Sequence, residues 1–232
     1  MAQFVIGTDL FHSMSPESFK ARVEQYVSTD RKVLPEDAKA FAAITAMQGF
    51  DGRPSLGSVE QISHLRDSGH TQVFRGIHSS GNGIPVGLYA QALLSGELHP
   101  GTQTAYGHGI YLAEASKDPE KRKSGLTEGF EDRSMTAWEY ANKAHPGVIL
   151  RAVISPDCNV REFEDLHADY PDYRTRALKM GIQDIGSFAA ALGIDAYFTD
   201  CFDPHERIWV VLNRTVLTFQ ATVLQIPVDK VL

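Results

Sequence analysis

Residues 106–113 carry the feature that most constrains this chain, the run Tyr-Gly-His-Gly-Ile-Tyr-Leu-Ala. Gly107 and Gly109 flank a histidine, and glycine admits a positive φ or a close approach of one backbone to another. Residues 110–113 have the apolar bulk of a buried strand. A glycine-flanked backbone that runs into a strand bearing an aromatic side chain suits a flat ligand lying against the main chain.

The composition is that of an ordinary globular protein. With 43% hydrophobic and 22% charged residues, the chain fits one large domain or one domain with a helical extension. A net charge of −7 argues against a protein dedicated to nucleic-acid backbones, which needs a basic face. No apolar run approaches the roughly 20 residues that cross a bilayer, and no Sec-type signal is visible. We therefore expect a cytoplasmic protein, or one delivered into a target cell's cytoplasm by another route.

The two cysteines, Cys158 and Cys201, are too few for a disulfide framework. Each lies beside a predicted turn, so we expect free thiols that are at least half-buried, in a reducing compartment. The histidines lack ligand spacing, and we expect no metal site.

The N-terminal part of the chain predicts helices. Apolar residues recur at helical spacing in 15–28 and 35–48, and Ser58 with Gln61 forms a capping box that opens a short helix to about residue 67. Residues 51–57 are rich in turn formers and predict a loop. We expect residues 1–68 to form a helical extension that packs on one face of the fold. Docking a partner or covering a cleft is the alternative.

From residue 71 onward, short strands alternate with single helices, which predicts an α+β domain over 69–232. Strands are predicted at 72–75, 108–113, 148–154, 194–198, 207–213 and 216–224, and helices at 86–95, from 134, at 171–180 and at 184–192. The charged segment 116–133 predicts a solvated loop, and a substrate-recognition lid is the alternative.

Four pieces follow one another in this domain: an arginine that ends a strand and precedes glycine (75–76), the Gly-His-Gly-Ile-Tyr strand, a helix that carries Tyr140, and a late strand over 205–214. Together they resemble the ADP-ribosyltransferase superfamily. Residues 107–117 look like the Gly-x-Gly-Ile-Tyr-Phe-Ala…Ser-Lys-Ser run of poly(ADP-ribose) polymerases. The Arg-Gly pair replaces their His-Gly, as in the arginine-bearing toxin branch. The order also resembles domains of phage head proteins and polymorphic bacterial toxins, and the resemblance covers roughly residues 70–220.

The resemblance implies a split β-sheet core that binds NAD in a cleft between two small sheets. It implies that Arg75 orients NAD through phosphate or ribose contacts and that the backbone of Gly76 pairs with the nicotinamide amide. Tyr111 and Tyr140 would stack on the nicotinamide ring. Two further residues of the motif, Gly109 and Ser116, complete the expected cofactor-binding set, with Ser116 bonding the carboxamide. His108 is expected to be a loop residue rather than a catalytic one.

The family places a catalytic glutamate on its late strand, whereas Ile208–Leu212 contains no acid. Glu206 is the nearest, and in a strand it shares a face with Ile208, so a bulge or a slip of two residues would bring it into the site. The other candidates are Asp203, Asp200 and, as an uncharged hydrogen-bonding group, Asn213. For Asn213 the alternative is a turn residue at the end of the strand.

By this resemblance we expect a mono-ADP-ribosyltransferase that uses NAD as co-substrate and modifies a protein or nucleic acid, in the manner of a bacterial or phage toxin or effector. No membrane partner is expected. An NAD glycohydrolase with water as acceptor is one alternative, and a catalytically degenerate member that binds NAD or a partner protein is another. An RNA 2′-phosphotransferase of the same superfold would need several arginines and histidines around a phosphate, which this sequence does not offer.

Overall fold

The computed structural model describes residues 9–29, 36–78, 86–95, 106–114, 134–142, 147–203, 206–222 and 224–225. The helices are α1 Leu10–Ser13, α2 Pro16–Thr29, α3 Glu36–Gln48, α4 Val59–Asp67, α5 Val86–Ser95, α6 Met135–Asn142, α7 Phe163–Met180 and α8 Ile185–Ala191, with a 3-10 turn at Arg214–Val216. The strands are β1 Ser55–Gly57, β2 Thr71–His78, β3 Ile110–Glu114, β4 Gly147–Ile154, β5 Val160–Glu162, β6 Ala196–Asp203, β7 Glu206–Val211, β8 Leu217–Gln220 and β9 Leu224–Gln225. The chain is therefore mixed α/β, as the alternation of patterns predicts, and the charged segment 116–133 lies outside the described residues.

The strands form one open mixed sheet in the order β1-β8-β4-β2-β3-β7-β6-β5, and β9 adds to β4. The β1–β8 and β5–β6 pairs are parallel and the others antiparallel. Strand β2 pairs with β4 over its whole length, and with the described part of β3 it pairs at two positions, Val73 with Glu114 and Phe74 with Ala113. We call this short contact the β2–β3 junction. It joins the half of the sheet that contains β2 and β4 to the half that contains β3 and β7, and toward Arg75 the two strands no longer pair.

Three apolar clusters hold helices against the sheet. On one face, which we call the α5 face, Val73, Leu112 and Trp209 of the sheet share a cluster with buried residues of α5. On the opposite face, α6 covers the half that contains β2 and β4, through the cluster Phe74, Ala137, Ala141 and Ile149. Helices α1–α3, α7 and α8 cover the other half of that face, with Tyr197, Val210 and Leu212 in their cluster.

The N-terminal helices are part of this third layer. Phe11, Phe19, Phe41 and Ile44 are buried in the same cluster as residues of α7, α8 and β7. The capping box at Ser58 is present, with the Ser58 side chain accepting from the N–H of Gln61. The N-terminal helices therefore pack on the rest of the fold. Their apolar core is shared with residues on the other side of the expected boundary at residue 68.

The loop predicted at 51–57 is wrong for its last residues, because Ser55–Gly57 form the edge strand β1 beside β8. A strand this short has no periodicity, and its pairing partner lies more than 150 residues away at Thr218–Gln220.

The helix predicted at 171–180 is longer in the structure and begins at Phe163, with Pro171 in its interior. An interior proline removes one helical hydrogen bond, at a cost of about 3 kcal/mol. Burial of Leu166 and Ala177 against the N-terminal layer offsets this cost. The predicted end is confirmed, because Gly181 terminates the helix in the left-handed conformation with φ +81°.

The thiol of Cys158 is free and half-buried, as expected, and its Sγ donates to the carbonyl of Ser155. Burial raises the pKa of the Cys158 thiol to about 11, with the negative charge of Asp195 adding to the effect. Cys158 is therefore a poor nucleophile at neutral pH. The Cys201 side chain lies outside the described residues.

Candidate functional site

The glycines of the Gly-His-Gly loop approach neighbouring protein backbone and side chains closely. Gly107 has φ +91°, and a Cβ there would lie 2.4 Å from the nitrogen of Gly186 at the start of α8. A Cβ on Gly109 would lie 2.3 Å from Cγ1 of Val210 in β7. The predicted positive φ and close approach are confirmed. The space beside these glycines is filled by α8 and β7, which accounts for both residues without a ligand.

Asp184 fastens this loop to α8. One carboxylate oxygen, Oδ1, accepts from the backbone N–H groups of His108 at 3.0 Å, Gly186 at 2.9 Å and Ser187 at 3.1 Å. The same oxygen lies 3.1 Å from Nδ1 of the His108 ring, which is buried and stacks on Phe41. Burial alone would raise the pKa of Asp184, but hydrogen bonds and attraction to His108 outweigh it and hold the pKa below its ordinary value.

Tyr111 also holds the loop. Its hydroxyl donates to the carbonyl of Gly107 at 2.7 Å and accepts from the N–H of Tyr106 at 2.9 Å. Its ring packs against the cluster beneath α8. Burial raises the pKa of the Tyr111 hydroxyl to about 12, so the phenol stays neutral and remains a donor at physiological pH.

We expect Tyr111→Phe to lower the free energy of unfolding by about 2 kcal/mol, because the variant leaves a half-buried carbonyl and N–H without their partner. The measurement is urea denaturation of the purified proteins. Tyr173→Phe is the control, since Tyr173 is partly exposed and no hydrogen bond of its hydroxyl is found among the described residues. Equal midpoints for Tyr111→Phe and the wild type would contradict the assigned role.

Arg75 lies where β2 and β3 separate, just beyond the paired residue Phe74. Its Nη1 donates to the carbonyl of Tyr111 at 2.8 Å and its Nη2 to the hydroxyl of Tyr89 in α5 at 3.1 Å. Its Nε is buried and has no partner among the described residues. The guanidinium therefore bridges a gap in the sheet that backbone pairing does not close, and it retains donor capacity there.

Gly76 faces α6. A Cβ at this position would lie 1.9 Å from the carbonyl oxygen of Ala137, and one on the neighbouring Gly147 would lie 1.9 Å from that of Ala141. These two glycines let α6 sit directly on the sheet. Tyr140 of α6 is 51% exposed, and its ring centroid lies 5.1 Å from that of His78 at the end of β2.

Glu206, the favoured acid, begins β7 and is 2% exposed. Its Oε2 accepts from the Ser134 hydroxyl at 2.9 Å and from the N–H of Thr136 at 3.1 Å. A carboxylate at this place satisfies donors at the N-terminus of α6 and complements the helix dipole. Glu206 therefore caps the N-terminus of α6.

The remaining acid candidates are engaged elsewhere or lie outside the described residues. Asp200 pairs with Arg207 at 2.9 Å on the surface. Asn213 accepts from the N–H of Thr215 at 3.0 Å, which makes it a turn residue at the end of the strand, the alternative given for it above. The side chain of Asp203 and the whole of Ser116 lie outside the described residues.

The β2–β3 junction brings Arg75 and the backbone of Tyr111 together but separates the predicted side chains by face. Arg75 contacts Tyr89 on the α5 face. Tyr111 packs in the cluster beneath α8, and Gly76, Tyr140 and Glu206 face or belong to α6, all on the opposite side of the sheet. The sequence does not predict that Tyr89 lies at this site. The only indication in the sequence is that its helix, α5, directly follows the strand that carries Arg75.

No family model matches this sequence, and neither a curated protein nor a solved structure was found to match it. Within the described ranges, no group of three or more His, Cys, Asp or Glu side chains is placed to hold a metal ion, and no helix is long and apolar enough to cross a membrane.

Proposed function

We propose that this chain is an NAD-dependent mono-ADP-ribosyltransferase that transfers ADP-ribose to a macromolecular acceptor. The observation that carries the proposal is the β2–β3 junction: in the described residues the pairing of the two strands ends at Phe74 with Ala113, and the strands then separate with Arg75 in the gap. The separation of the Arg-Gly strand from the Gly-x-Gly-Ile-Tyr strand supports the ADP-ribosyltransferase-like split core that the sequence resemblance implies.

The chemistry at this gap suits a dinucleotide. Arg75 carries a permanent positive charge and a planar fork for the pyrophosphate or ribose oxygens of NAD. Of the two tyrosines that the resemblance assigns to the nicotinamide ring, Tyr140 is 51% exposed on α6, whereas Tyr111 packs in the cluster beneath α8. The resemblance also places cofactor contacts at Gly76 and Gly109, where the side that a Cβ would occupy is filled by α6 and β7.

In the proposed reaction the bond between the nicotinamide nitrogen and the ribose C1′ breaks, and its electron pair goes to the ring to give neutral nicotinamide. The ribose carbon is left as an oxocarbenium ion. A nucleophile of the acceptor then bonds to C1′ and releases its proton. Negative charge or dipoles aimed at the ribose lower the barrier, because positive charge develops there in the transition state.

A second candidate is a member that binds NAD without turning it over. The observation that favours it is Glu206, whose carboxylate caps α6 rather than facing Arg75. An NAD glycohydrolase shares the first bond cleavage and differs only in using water as the acceptor.

The test is nicotinamide release from NAD by the purified chain, alone and with a bacterial lysate as acceptor source. We expect release with lysate, reduced at least about 100-fold in Arg75→Ala because a preorganised charge contact is lost. Arg161→Ala is the matched control, since Arg161 makes an exposed ion pair with Asp169, and it should behave as the wild type. Arg75→Lys keeps the charge but not the fork, and thermal melting confirms that each variant is folded.

The outcomes separate the candidates. Release without lysate identifies a glycohydrolase. A melting temperature raised by NAD, with no release in either condition, identifies a binding member. The proposal is overturned if the chain releases no nicotinamide and NAD does not raise its melting temperature.

A further inference from the structure

Glu114, the last residue of β3, is a carboxylate at the β2–β3 junction that has one oxygen engaged in a hydrogen bond and one available to a ligand. The residue is half-buried, and its Oε2 accepts from Nε1 of Trp209 at 3.1 Å. Its other oxygen, Oε1, has no hydrogen-bond partner among the residues that the structure describes. The Trp209 contact orients the side chain, and one oxygen is left to accept from something else.

Glu114 and Arg75 project from the same face of the sheet. Glu114 is paired directly with Val73, and cross-strand partners share a face. Val73 belongs to the cluster on the α5 face, as does Trp209. Arg75 follows Val73 by two residues, so it returns to that face, where it contacts Tyr89 of α5.

Glu206 lies on the other side. It contacts Ser134 and Thr136 of α6, which packs on the face opposite α5. Its alternation with Val210, in the cluster beneath α8, agrees with this placement. Of these two carboxylates, Glu114 is therefore the one that shares a face with Arg75.

Arg75 and Glu114 do not neutralise each other, since both are described and no ion pair joins them. A cationic fork and a carboxylate on one face of the sheet match a ligand that carries both an anionic group and sugar hydroxyls. The fork suits the anion, and the free oxygen of Glu114 suits a hydroxyl proton.

We propose that Glu114 is the catalytic carboxylate of the junction, with Trp209 as its positioning residue. This inference rests on the proposed function. Oε1 accepts a hydrogen bond from a ribose hydroxyl of NAD, and its charge stabilises the oxocarbenium ion as the electron pair of the C1′–N bond leaves with nicotinamide. The nucleophile, an acceptor side chain or water, then bonds to C1′ and gives its proton to solvent. Glu114 forms no covalent bond.

The test compares nicotinamide release by the full chain and by Glu114→Gln, with NAD binding measured by the shift in melting temperature. Glutamine keeps an oxygen for the Trp209 N–H, so the variant should fold. We expect kcat to fall at least about 100-fold, and the NAD-induced shift to persist. Glu114→Asp retains the charge at a shorter reach and should keep more activity than the glutamine variant.

Glu162→Gln is the matched control, because Glu162 is exposed and makes no side-chain cap to α7, and it should release nicotinamide at the wild-type rate. Wild-type release in Glu114→Gln, or its loss in Glu206→Gln instead, would overturn the assignment to Glu114 and leave the transferase proposal standing. Absence of release from the wild-type chain would overturn both, so the two failures are distinguishable.

Discussion

Replacing Gly76 by alanine is expected to lower the free energy of unfolding by about 3 kcal/mol. The new Cβ would lie 1.9 Å from the carbonyl oxygen of Ala137 and 2.8 Å from the nitrogen of Ala141. Both are backbone atoms of α6, so no side-chain rotation relieves the overlap, and the helix has to move off the sheet. Guanidinium denaturation of the purified variant measures the change.

Gly87→Ala is the control for the same chemical change. Gly87 is an exposed helical glycine, and nothing lies within 4 Å of a Cβ placed there. Alanine is the better helix former by roughly 0.8–1.0 kcal/mol, so this variant should become more stable. If both variants shifted in the same direction, close packing of α6 at Gly76 would not be the cause.

Asp184→Ala is expected to cost about 4 kcal/mol of unfolding free energy. The variant removes the N-cap of α8, at about 1 kcal/mol, and leaves the N–H groups of His108 and Gly186 without an acceptor in a largely buried place. Asp184→Asn retains an acceptor oxygen and should lose about half as much. A stable Asp184→Ala protein would show that the Gly-His-Gly loop is held by other contacts.

Asp184 also makes a predictable contribution to acid stability. Its pKa is lower in the folded protein than its ordinary value, so as the pH falls the unfolded chain takes up the proton first. The stabilisation is complete above the unfolded pKa of about 3.9 and is lost as the pH falls through the lower folded value. Asp184→Asn should lack this component. A difference between the two proteins that stays constant from pH 7 to pH 2 would count against it.

Much of the fold could be predicted because its signals are local. The capping box at Ser58, the helix at 86–95 and the Gly181 terminus depend on neighbouring residues, and each appears as expected. The errors arose where distant contacts decide the structure. Strand β1 exists because β8 lies beside it, and α7 tolerates Pro171 because it buries Leu166 against the N-terminal helices.

The candidate site divides in the same way. Residue types and order lead to Arg75 and Tyr111, and the two strands that carry them do meet. The faces on which side chains project depend on strand register, which a single sequence does not specify. Register puts Glu206 beneath α6 and Glu114 on the face of Arg75, so the acid that the motif suggests and the acid that shares a face with Arg75 are different residues.

The pairing of β1 with β8 determines when this protein can finish folding during its synthesis. Residues 55–57 cannot pair until residues 218–220 have been synthesised. The aromatic side chains of α1–α3 likewise cannot be fully buried until α7 and α8 are present. A ribosome that has made the first half of the chain therefore exposes an N-terminal segment with unburied Phe11, Phe19 and Phe41. Such a segment is a target for chaperones that hold nascent chains, and truncation from the C-terminal end should expose these helices together.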